Sequence, residues 1–251
     1  ARVGASARAL AMAVALLDDP DAKALHGDAL ALTGRIAKDR WSRLPDGPER
    51  QHAAKQAIDC YRRAWERSAD IFPGINAASM LMLAGAATEA RELAQRVRDA
   101  AGRDHDSETH WREATLGEAA VLLGDYDAAI AHYRAAVAAA RQNVGHVASM
   151  RRQLRLLTHA IDVPAGVFAA LALPRIVVFT GHMIDAPDRS SPRLPEAIEE
   201  ALAARLTQRL AALDAGFGYC SAACGADLMF IEAMLARGAE VHVTLPFERN
   251  D

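Results

Sequence analysis

The hydrophobic period of this chain changes once, near residue 174, and that change divides what it can fold into. From the start to about residue 162, apolar residues recur at three- and four-residue spacing, the period of amphipathic helices. Turn signals interrupt the pattern at Asp19-Pro20, at 44–48, at Pro73-Gly74, at 102–107 and at 143–145. From Arg175 onward the chain reads RIVVFTGH, a long amphipathic segment, then GYCSAACGADLMFIEAMLARGAEVHVTLPF. Short apolar runs alternating with helices predict βαβαβ and a parallel sheet, here with the first strand expected in the centre. Residues 1–162 are thus expected to form an all-α repeat domain. Val163–Pro174 (VPAGVFAALALP) is a packed apolar connector, because flexible linkers are polar. Residues 175–251 are expected to form an α/β Rossmann-like domain, which would need at least one or two more strand–helix units to be complete.

The helical half repeats itself. Leu116 and Gly117 precede a turn at Gly124, followed by Ala129, Tyr133 and Ala136. A second copy has Gly85 at the turn, then Ala90, Ala94 and Val97, and a third has Ala57, Tyr61 and Ala64. Alanines 57, 90 and 129 are spaced by 33 and 39 residues, close to the tetratricopeptide period of about 34 with an insertion near 103–106. Small residues at these offsets let the two helices of a hairpin approach. Such hairpins bury their apolar faces only by stacking, which yields a solenoid whose concave surface suits a protein or peptide partner. Tyr61 with Trp65, and likewise Trp111, are expected to pack between hairpins.

Composition removes several alternatives. With 251 residues, 51% hydrophobic content and net charge −3, the chain can bury two cores, and its charge favours neither nucleic acid nor an anionic membrane as a bulk partner. No apolar run is long enough to span a bilayer, and the first residues lack the basic and small-residue marks of a secretory leader. Three cysteines at no zinc-like spacing point to free thiols in a reducing, cytoplasmic setting.

The helical half resembles the TRAFs-binding domain of the apoptosis signal-regulating MAP kinase kinase kinases and its bacterial relatives. The resemblance rests on Gly34-Arg35-Ile36 with Lys38-Asp39, on Tyr61 with Trp65-Glu66, on Gly74 to Ala77 leading to Leu83-Ala84-Gly85, and on His110-Trp111 with Glu118-Ala119. It implies a tetratricopeptide-type regulatory scaffold over roughly Leu25 to Ile161. No kinase motif is present: there is no glycine-rich loop with its lysine, no HRD and no DFG. The C-terminal half resembles the SLOG superfamily of Rossmann-like domains, which includes the DNA-processing protein A and Lonely-Guy families. Thr180-Gly181-His182, Ser221, Gly225-Ala226-Asp227 and the third strand running into Leu245-Pro246 carry that likeness. It implies binding of a nucleotide or a nucleotide-derived ligand. The PGGxGTxxE signature of the phosphoribohydrolases is missing, which counts against hydrolysis.

In parallel α/β sheets ligands sit beyond the carboxyl ends of the strands. Two loops are placed there, both rich in small residues: Thr180, Gly181 and His182 after the first strand, and Ser221, Ala222, Gly225, Ala226 and Asp227 after the second. The helix N-terminus at Gly225 suits a phosphate, and Asp227 suits either ribose hydroxyls or its own helix dipole. One exposed helix terminus contributes roughly 0.3–1 kcal/mol, whereas millimolar affinity needs about −4 kcal/mol. Other groups must therefore supply most of the binding. Cys220 and Cys224 read as small packing residues, and His182 has no companions at metal-ligand spacing. No cofactor is required on this reading. A regulatory protein that couples a helical scaffold to a nucleotide-sensing domain is the leading expectation. A nucleotide N-glycosidase with Asp227 at the ribose, and a pure interaction scaffold, stand as alternatives.

Overall fold

The computed structural model describes residues 5–104, 107–140 and 143–245. The described chain divides into two compact units, Ala1–Ala172 and Leu173–Asp251.

The first unit is helical: α1 (Ala5–Asp18), α2 (His26–Trp41), α3 (Pro48–Ser68), α4 (Ile71–Leu83), α5 (Ala87–Ala101), α6 (Thr109–Leu123), α7 (Tyr126–Ala139), α8 (Val144–Leu157) and α9 (Ala165–Ala170). Three antiparallel hairpins stack in order, α2 with α3, α4 with α5, and α6 with α7. Local chemistry sets their ends. Pro48 stands at the start of α3, where its missing N–H costs nothing. Asp70, Asp125 and Asn143 cap α4, α7 and α8 by accepting the N–H groups of Phe72, Ala128 and His146. Gly85 and Gly124 turn with φ of +85° and +81°, a region that glycine enters without strain. Pro73-Gly74, expected as a turn, lies inside the first turn of α4. The break falls instead at Ala69-Asp70, since a proline in the first turn forfeits no helical hydrogen bond. Part of the expected 103–106 insertion lies outside the described residues.

The repeat register is visible in the burial. Ala57, Tyr61 and Ala64, then Ala90, Ala94 and Val97, then Ala129, Tyr133 and Ala136 are all at most 1% exposed. Trp65 also packs between hairpins, its ring lying where a Cβ on Gly74 would be. Trp111 does not: it is 39% exposed and lines a cavity.

Past α7 the stacking pattern changes. The helix that packs against α7 is α9, whereas α8 lies beside α4. The expected connector is largely built into this unit: Val163, Val167 and Leu171 are buried in its core. Arg151 on α8 holds it by donating to the carbonyls of Phe168 (3.0 Å) and Leu171 (3.1 Å).

The second unit contains β1 (Arg175–Val178), α10 (Glu199–Ala212), β2 (Ala215–Cys220), α11 (Ala226–Ala236) and β3 (Glu240–Val243). All pairings are parallel, in the order β1-β2-β3. The central strand is therefore β2, not β1 as expected. A central β1 would need the second crossover to reverse direction and carry α11 to the face opposite α10. Instead α10 and α11 pack on each other, and Leu210, Phe230, Ala233 and Met234 close one core against the sheet. Gly218 admits the Phe230 ring, 2.9 Å from where a Cβ would lie. Ile176 and Val178 point to the other face and are 68% and 80% exposed. Pro246, expected at the end of the third strand, lies outside the described residues. Among the described residues, no helix is long and apolar enough to cross a membrane.

Candidate functional site

The expected site residues do converge. The loops after β1 and β2 meet at the carboxyl ends of adjacent strands and are joined by Asp227, which is 1% exposed. One carboxylate oxygen of Asp227 accepts the Gly181 N–H at 2.9 Å. The other accepts the Ser221 hydroxyl and the Ala223 N–H, the latter at 3.3 Å. The Ala226 N–H donates to His182 O (3.1 Å), and the Ile184 N–H to Cys224 O (3.0 Å). Gly225 sits at φ +140°, and a Cβ there would fall 2.6 Å from His182 O. A Cβ on Gly181 would likewise run into Ala226. Glycine is needed at both positions because one loop lies directly on the other.

This interlock divides the eight residues by burial. Gly225, Ala226 and Asp227 are buried and form the floor, with Gly181 partly covered above them. Thr180, His182, Ser221 and Ala222 are exposed on the lip. The N–H groups of Gly181, Ala223 and Ala226 are already spent inside the protein. Cys220 is buried and Cys224 exposed. Burial first, then the Asp227 charge, pushes the Cys220 thiol above its ordinary range and keeps it protonated.

Sequence reasoning passed over a second region, on the inner face of the helical unit. A cavity of about 610 Å³ opens among α2, α4, α6 and α8, with Tyr61 and Tyr133 behind it. Its floor is a polar chain. Lys38 donates to Asn76 Oδ1 (2.6 Å) and to Gln153 Oε1 (2.5 Å). Asn76 Nδ2 is tied to Phe72 O (2.9 Å), which turns its carbonyl toward Lys38. Gln153 Nε2 donates to Glu118 at 2.6 Å, and the Ser79 hydroxyl donates to the same oxygen. Burial pushes the Glu118 carboxyl up, against the opposing effects of Lys38 and of these two hydrogen bonds. Burial also lowers the Lys38 ammonium, which Glu118 and then Asp39 partly restore. Lys38, Asn76, Glu118 and Trp111 all stand in the short motifs that carry the family resemblance, a signal that could have singled them out.

At the edge of this cavity three rings form a cluster. His110 stacks on His146 with centroids 4.4 Å apart and planes 5° apart, and Trp111 lies tilted against both. His110 Nε2 is 3.4 Å from Glu108 but makes no hydrogen bond. Burial, then the neighbouring His146, lowers the His110 pKa, and Glu108 only partly opposes this. Among the described residues, no group of three or more His, Cys, Asp or Glu side chains could hold a metal ion.

No curated protein matches the chain. The family model described as TPR-S, Tetratricopeptide Repeats-Sensor, matches residues 1–83, the stretch from the first residues to the end of α4, so this part of the chain is similar to that family and the helical unit is a tetratricopeptide-like repeat scaffold of the kind that suits protein partners.

Proposed function

We propose that the protein is a regulatory, signalling molecule. Its helical scaffold engages a protein partner, and its βαβαβ unit takes a nucleotide or nucleotide-derived ligand on the Thr180–His182 and Ser221–Asp227 loops. The observation that supports the ligand reading is the Asp227 clasp, which fixes two loops at the carboxyl ends of adjacent parallel strands and leaves Thr180, His182, Ser221 and Ala222 exposed above a closed floor. A pre-ordered lip of this kind binds without first paying for loop ordering. On this reading Asp227 holds the loops and the ligand sits on the lip. A ribose-directed catalytic carboxylate would need an oxygen free for substrate, and both of its oxygens are engaged. A protein partner on the concave face of the repeat would meet α8 there.

Calorimetry of the whole chain against AMP, ADP and ADP-ribose tests the ligand reading. Micromolar-to-millimolar binding that weakens in His182→Ala and Thr180→Val is expected. Absence of binding, or binding indifferent to both substitutions, leaves the βαβαβ unit as part of a pure interaction scaffold.

A further inference from the structure

An ammonium carries three N–H donors, and an ionised carboxylate has two acceptor oxygens. Lys38 uses two donors, on Asn76 and Gln153, and Glu118 receives Ser79 and Gln153 on a single oxygen. Among the described residues, the third N–H and the second oxygen have no partner, and both side chains line the cavity. The Gln153 carboxamide lies between them, giving its carbonyl to the ammonium and its NH2 to the carboxylate. What such a floor can still accept from a ligand has the same form: an acceptor beside a donor.

The rest of the lining narrows the class. Ile75, Met150 and Leu156 supply apolar wall, and the exposed rings of Phe72 and Trp111 offer flat faces. Among the described residues, Arg35 and Arg152 on the lining form no ion pair. Of the lining carboxylates, Asp70 caps α4, Glu118 receives Ser79 and Gln153, and the Glu108 side chain is 73% exposed beside His110, which leaves Asp39 against two guanidinium groups. A volume of about 610 Å³ suits a small molecule. An extended peptide would need an open groove, and here α8 crosses the face.

We propose that this cavity binds a planar heterocycle with adjacent carbonyl and N–H groups, a cyclic amide or imide, carrying an anionic substituent. The polar edge meets Lys38 and Glu118, the ring lies against the apolar wall and Trp111, and the anion faces Arg35 and Arg152. The residues that line the site all belong to the helical unit.

Three probes separate its parts: orotate has both edge and anion, uracil the edge alone, and benzoate a planar anion alone. Calorimetry and tryptophan fluorescence on the whole chain should show orotate binding at least about tenfold more tightly than either of the others, a difference of about 1.4 kcal/mol. Arg152→Ala, at an exposed position that leaves the fold intact, should reduce orotate affinity several-fold and leave uracil unchanged. Lys38→Met should abolish both, with circular dichroism reporting whether the helices persist. His182→Ala should have no effect on orotate, so failure here and failure of the nucleotide reading are distinguishable. Orotate that binds no better than benzoate, that ignores Arg152→Ala, or that fails to bind at about 10 mM, where even a Kd of several millimolar would register, overturns the proposal.

Discussion

Gly117 on α6 faces the ring of Tyr133 on α7 so closely that a Cβ at position 117 would lie 2.9 Å from it. Gly34 on α2 stands in the same relation to Tyr61 on α3, at 3.0 Å. The repeat thus uses one device twice: a notch on the first helix of a hairpin admits an aromatic ring from the second. Both rings are at most 1% exposed and cannot swing into solvent without opening the core. Gly117→Val should therefore cost about 1–3 kcal/mol by overpacking. Thermal melts check this, and an unchanged midpoint would mean that the hairpin can slide.

The floor of the cavity should be a burden on stability. Lys38→Met alone leaves Glu118 buried without its cation and should destabilise by about 3 kcal/mol, whereas Lys38→Met with Glu118→Met should come out near neutral or more stable. Chemical denaturation of the three variants measures this. A double variant as unstable as the single one would make the pair a structural necessity.

His110 makes the fold sensitive to acid. Its folded-state pKa is lowered, so the unfolded chain binds the proton first as pH falls. Stability is complete above the unfolded value near 6.5 and declines below it toward the lowered folded value. The melting temperature should drop between pH 7.5 and 5.5, and His110→Phe should shrink that drop while keeping a ring against His146. The same slope in the variant would place the titration elsewhere.

Asp227→Asn should loosen the two strand-end loops. An amide nitrogen in place of either oxygen would face a donor, from Gly181 or from Ser221 and Ala223. A buried donor left unsatisfied costs about 1–3 kcal/mol. Hydrogen exchange should quicken at Gly181 and Ala223 before it does in the sheet.

The repeat was legible because its signal is local. Alanine, tyrosine and valine at fixed offsets report where helices touch, and all nine positions are buried as that reading requires. The strands of the βαβαβ unit were legible from β-rich runs, but their order was not. Order depends on which face of the sheet α10 and α11 share, a property of Leu210, Phe230 and Met234 meeting in space. The two strand-end loops were legible as neighbours, yet the contacts that Asp227 makes turned on three donors up to 46 residues away in sequence. The cavity was missed for a similar reason. Lys38 and Gln153 are 115 residues apart, and nothing periodic links them.

Stacked hairpins behave as a spring, each turn touching only its neighbours and sharing out any bend. A helix laid across the inside of that spring acts as a strut. With α8 against α4 and its Gln153 reaching both α2 and α6, the three hairpins are tied together by amide contacts as well as by the stack. Whatever loosens those contacts changes the shape that the outside of the scaffold presents.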